Sequence, residues 1–104
     1  MDKKPETLLE GIERYWFLVD NGNSVVTRGN SSLKKGLNDL STQFGNVKLN
    51  DANGLKNALA KFFDIKGNIA LHNERCFACN NLFNWMLSKG YLAEDPSRNY
   101  IPMS

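Results

Sequence analysis

The stretch from Asn68 to Pro96, NIALHNERCFACNNLFNWMLSKGYLAEDP, decides the fold. Its apolar residues Ile69, Cys76, Cys79, Phe83, Met86 and Leu87 recur at three- and four-residue steps, the spacing that stacks side chains on one face of a helix. Leu71, Ala78, Leu82 and Trp85 widen that stripe past half the circumference, so the helix is expected to be buried against several neighbours, with Trp85 largely covered. Asn68 is placed to cap its start, and Lys89-Gly90 supplies a basic last turn and a terminating glycine. Tyr91 and Leu92 follow as an aromatic landing, and Pro96 ends the stretch.

Upstream, three further helices fit the apolar spacing. Asn50 or Asp51 caps one that runs to about Asp64, with Leu55, Leu59, Phe62 and Phe63 inward, and Ile65-Lys66-Gly67 turns it into the main helix. Before it, a helix starting between Ser24 and Thr27 ends at Phe44-Gly45, with Val26, Leu33, Leu37, Leu40 and Phe44 inward. Gly29 and Gly36 each weaken that helix by about 1 kcal/mol relative to alanine. The first helix spans Pro5 to Val19 on Leu8, Ile12, Trp16 and Val19; either Thr7 with Glu10 forms a capping box or Pro5-Glu6 opens the first turn. The run from Asp20 to Asn23 breaks it. Asn46 to Asn50 is a connector from which Val47 and Leu49 tuck inward. The polar segment after Pro96 has no period and reads as an exit linker. The expected class is all-α, four helices without a strand.

At 104 residues, 41% of them hydrophobic and 11% aromatic, the chain has room and material for one small core. No apolar run approaches a membrane span and no signal-peptide core follows Met1, so no membrane partner is expected and the cytoplasm is the expected location. A net charge of +2 falls short of the strongly basic balance of an autonomous nucleic-acid binder, and permits weak binding that a partner domain reinforces.

The run LFNWMLSKGYLAEDPSRNYIP resembles the end of the core-binding domain of tyrosine recombinases, the phage-integrase family. Arg75, Leu82, Phe83, Trp85, Gly90, Tyr91, Leu92 and Pro96 match the family pattern, while Asp95 stands where asparagine is usual. The similarity extends from about Leu8 to Pro102, carried by the order and spacing of elements. It implies a four-helix, SAM-like orthogonal bundle over residues 1–96, with residues 97–104 leading toward an absent catalytic domain. The family's catalytic tyrosine and its assisting residues belong to that other domain, so none transfers onto Tyr15, Tyr91 or Tyr100, and this chain is expected to be non-catalytic.

The resemblance also implies that the second and fourth helices lie across the major groove of double-stranded DNA. Thr27, Arg28, Ser31, Lys34 and Lys35 then become DNA-binding candidates on the second helix, and Lys66, Asn68, Asn73 and Arg75 on or just before the fourth. The residues themselves lend support: no acidic side chain occurs from Val25 to Asn38, and lysine, arginine, serine, threonine and asparagine are the donors that phosphates and base edges accept. A plain solvated helix face is the competing reading of such a stripe. His72 and Arg75 also fit as satisfied core or flank residues.

His72, Cys76 and Cys79 share one narrow sector of the main helix and could ligate zinc, but no further cysteine or histidine exists to complete a tetrahedral set. Neither a metal nor a cofactor is expected. Cys76 is mid-helix, without the N-terminal dipole that activates redox cysteines. Glu6, Glu10 and Glu13 with Asp2 form an acidic, solvated edge. The expected function is thus the DNA-binding part of a phage or mobile-element integrase, monomeric in isolation and aided by its catalytic domain. The rival is a small helical protein-interaction or regulatory module, because such bundles serve both ends. A reading frame continuing past Ser104 into a catalytic domain separates the two.

Overall fold

Capping chemistry sets the helix starts. Thr7 Oγ1 accepts from Glu10 N at 3.3 Å while Glu10 Oε2 accepts from Thr7 N at 3.0 Å, a reciprocal capping box. Asp51 Oδ1 accepts from Gly54 N at 2.9 Å, and Asn68 Oδ1 from Leu71 N at 3.0 Å. The computed structural model describes residues 4–20 and 30–102. Among them the elements are α1 (Leu8–Asp20), α2 (Asn30–Phe44), α3 (Ala52–Phe62) and α4 (Ile69–Ser88). No strand forms among the described residues; Thr7 and Lys48 make one isolated antiparallel bridge.

That bridge has a purpose. The first N–H groups of a helix lack partners within it, and Leu8 N donates to Val47 O at 2.9 Å while Leu9 N donates to Gly45 O at 3.0 Å. Leu49 N returns a bond to Glu6 O at 2.9 Å, so the α2–α3 connector is stitched to the entrance of α1. Leu49 is buried and Val47 packs against the core from a partly exposed position. At the other end of the chain, α4 closes with a Schellman motif. Gly90 N donates to Leu87 O at 3.0 Å and Tyr91 N to Met86 O at 2.9 Å, with Gly90 at φ +76°.

The core joins all four helices. Leu8, Ile12, Leu33, Leu37, Leu40, Phe62, Leu82, Phe83 and Met86 are wholly buried, together with Cys76 and Cys79. Each of these leucine, isoleucine, phenylalanine and methionine side chains stabilises by about 1.5–3 kcal/mol relative to exposure. The helix α4 packs most extensively on α2, and the all-α expectation holds. The Cα radius of gyration, 12.9 Å, matches the ~13 Å of a folded chain this long.

Several inward positions differ from expectation. Ile69 opens the main helix but is 48% exposed. In α1 it is Tyr15 that enters the core, tilted against Trp85 with ring centroids 5.3 Å apart, while Trp16 is only half-buried. Trp85 is largely covered, as expected, held between Tyr15 and Tyr91 near the C-terminal end of α4. Phe44, Phe63 and Leu87 lie partly covered at the rim. The helix α3 stops at Phe62, not Asp64, and α1 begins at Leu8. The proposed start of α2 between Ser24 and Thr27, Val26, Gly29 and the break at Asn21 to Asn23 lie outside the described residues.

The segment after Pro96 is irregular, yet it packs on the body. Ser97 is wholly buried, its N–H donating to Asp95 Oδ1 at 2.8 Å and its hydroxyl within hydrogen-bond distance of Asp95 and Asn80. Tyr100 stacks on Phe63 with centroids 4.2 Å apart and planes 10° from parallel.

Candidate nucleic-acid interface

The position of α2 is set by a close helix crossing. A methyl group on Gly36 would lie 2.6 Å from Ala78 Cβ, so only glycine lets the two backbones meet here. Lys35, beside this crossing, is exposed, and Lys34 is partly buried and engaged in an interaction of its own. The first carboxylate on α2, Asp39, faces Arg75 Nη2 at 4.0 Å. Elsewhere positive charge is interleaved: Lys48, Lys56 and Lys61 are exposed on the α3 side, with Asp51 and Asp64 among them.

Arg75 corrects an expectation. It is 9% exposed and belongs to the core, not to a DNA face. Its Nη1 donates to Phe62 O, and its guanidinium lies 4.2 Å from the centre of the Phe62 ring. A buried guanidinium needs such partners, and these leave it no reach to a phosphate. The buried alternative is the one the fold adopts, with Nη1 bonded and Nε left without a hydrogen-bond partner.

The other candidates separate in space. Lys66 and Asn68 are exposed in the turn before α4, roughly 15 Å along that helix from the Ala78 crossing at 1.5 Å per residue. Asn68 uses its oxygen as the cap of α4, so its first role is structural. The first turn of α4 carries no acidic residue, which leaves the positive end of its dipole uncompensated. Asn73 is partly buried and has an interaction partner already. Ser31 lies in the first turn of α2 with its side chain outside the described residues, as Thr27 and Arg28 are altogether.

His72, Cys76 and Cys79 do not assemble a ligand set. No group of three histidine, cysteine or acidic side chains able to hold a metal occurs among the described residues. His72 Nε2 lies 2.9 Å from Ile101 O and 3.3 Å from Cys76 Sγ. A carbonyl oxygen only accepts, so Nε2 carries the proton and offers the thiol no lone pair. Burial pushes the Cys76 thiol up, and pushes Cys79 up much further, with Cys76 and Asp95 adding to the effect and Arg75 opposing it. Neither thiol is poised as a nucleophile.

A feature missed in the sequence is a cleft of about 420 Å³ between α1 and the end of α4, lined by Arg14, Phe17, Leu18, Trp85, Lys89 and Tyr91. The signal available was Phe17, an aromatic residue off the inward stripe of α1. No helix among the described residues is long and apolar enough to cross a membrane. No family model matches the chain, and no curated protein or solved structure matches it either.

Proposed function

We propose that this chain is the non-catalytic, DNA-binding core-binding domain of a tyrosine recombinase of the phage-integrase type. The observation that carries the reading is the α2 surface beside the Gly36–Ala78 crossing. Lys34 and Lys35 project there from a segment free of carboxylates up to Asp39, and Asp39 is turned to Arg75. Lys66 and the acid-free first turn of α4 add a second cationic point farther along. Two separated patches on crossing helices suit phosphates on opposite sides of a major groove, with the residues between them available to it.

In this reading the domain grips one side of a core recombination site while a catalytic domain of the same parent grips the other. Each half then needs little affinity alone, since tethering supplies effective concentration, which suits a net charge of only +2. The test is a titration of labelled duplex with the 104-residue chain at low and moderate salt. Weak binding that fades as salt rises is expected, because lysines act mainly by releasing counterions from phosphate. Salt-independent affinity, or none at low salt, rejects the proposal.

A further inference from the structure

We propose a second binding site, independent of DNA: the cleft between α1 and the C-terminal end of α4 docks a protein segment in which a bulky apolar side chain is flanked by carboxylates. The cleft has an aromatic floor and a cationic rim. Trp85 and Tyr91 meet edge-on at 5.6 Å, Tyr15 supports Trp85 from beneath, and Phe17 forms a wall that is 65% exposed. Arg14 and Lys89 stand at the rim, and no carboxylate lines the cleft among the described residues. Tryptophan, tyrosine and arginine around one pocket are the composition in which protein interfaces concentrate binding energy.

Charge complementarity fixes the sign of the partner. Arg14 is held by a long 3.4 Å bond to Tyr91 Oη and by a cation–π contact 5.8 Å from that ring. Both are weaker than the bidentate pairing that a carboxylate offers a guanidinium. Lys89 contributes its backbone to the C-cap of α4, so its ammonium is available to the rim without loss of the cap. The same chemistry argues against single-stranded nucleic acid. That ligand needs a row of open ring faces along a continuous cationic track. Here Trp85 and Tyr91 are engaged with each other, and the two cations flank a single apolar pocket.

The experiment uses the 104-residue chain labelled for NMR and four probes. These are a short peptide with one phenylalanine between aspartates, the same peptide with lysines for aspartates, an aspartate peptide without the ring, and oligo-dT. The first is expected to bind with a dissociation constant on the order of 10⁻⁴ M, as a contact this small allows, and to shift resonances of Phe17, Trp85 and Tyr91. Lys89→Gln and Arg14→Gln should each weaken it about two- to fivefold, and Phe17→Ser at least about fivefold. Circular dichroism checks each variant; if Arg14→Gln fails to fold, Lys89→Gln decides the charge contribution. Equal binding of the lysine peptide or the ringless peptide overturns the proposal. So does equal or tighter binding of oligo-dT at the same residues, or no shift with any probe up to millimolar concentration.

Discussion

Gly36 of α2 lies against Ala78 of α4 so closely that a methyl carbon on Gly36 would sit 2.6 Å from Ala78 Cβ and 3.4 Å from the Glu74 carbonyl oxygen. This crossing brings the lysine-bearing turn of α2 over the middle of α4. It also explains why a helix interior carries a residue that costs about 1 kcal/mol in propensity.

Gly36→Ala should therefore destabilise the fold by about 1–2 kcal/mol, the overpacking penalty exceeding the propensity gain. Gly11→Ala provides the contrast. A methyl group there meets the terminal carbon of Met86, the far end of a flexible side chain that can move aside. Its effect should stay within about 1 kcal/mol, because the propensity gain offsets the rearrangement. Urea unfolding of both variants checks the pair, and a stabilised Gly36→Ala would show that the crossing is looser than described.

Arg75→Ala should lower stability by about 2–3 kcal/mol. It leaves the Phe62 carbonyl without its donor and removes the cation from the Phe62 ring. Because the side chain faces inward, the salt slope of the proposed DNA binding should not change. A variant of normal stability but reduced salt slope would return Arg75 to the surface.

The elements were legible because each is spelled by local chemistry: Asn68, Asp51 and Thr7 with Glu10 as caps, Gly90 as a stop, and apolar steps of three and four between them. What could not be read was tertiary. A sequence shows that Arg75 is charged, not that Phe62 O and Asp39 surround it. It shows that Tyr15, Trp16 and Phe17 are adjacent aromatics, but the angle at which α4 meets α1 decides that Tyr15 goes in and Phe17 stays out. The docking of Tyr100 on Phe63, just past the end of α3, and that of Ser97 on Asn80 of α4 are likewise long-range pairings that no local spacing spells out. Among the candidate residues, the exposure of Lys35 was legible, and the partial burial of Lys34 and the burial of Arg75 were not.

Phe83 is wholly buried in α4 and joins the cluster shared by all four helices. Phe83→Ala should cost about 3–5 kcal/mol by chemical denaturation, the range for deleting a core ring. A shift below about 1 kcal/mol would mean that the site collapses without penalty and that α4 is not the centre of the core.

The buried thiols give a pH dependence whose sign is fixed. Burial raises the folded-state pKa of Cys79, and to a lesser degree that of Cys76, above the ordinary value of 9.0. Above that value the unfolded chain loses thiol protons that the folded chain keeps, so stability is full below it and falls as pH rises. The slope is about 1.4 kcal/mol per pH unit for each thiol that stays protonated in the fold. Cys79→Ala should be less stable at neutral pH, through the cavity it leaves, but should decline less steeply between pH 9 and 10 than the parent. Urea midpoints at several pH values test this, and parallel curves would contradict the assignment.

The last expectation divides labour on the proposed DNA face. Lys35 is exposed on α2, and a flexible ammonium contacts phosphate without reading sequence. Lys35→Ala should weaken binding to every duplex alike and reduce the salt slope by about one. Lys34 is partly buried and already engaged, so Lys34→Ala should show the same loss together with a measurable drop in stability. Asn73 is also partly covered, but its amide both donates and accepts, as recognition of adenine requires. Asn73→Ala should leave the salt slope intact and narrow the gap between cognate and scrambled sites by about 1–3 kcal/mol. The three variants, made in the 104-residue chain and titrated against both duplexes over a salt series, separate the roles. Equal losses on both duplexes for Asn73→Ala, or a loss confined to the cognate site for Lys35→Ala, would reverse the assignment.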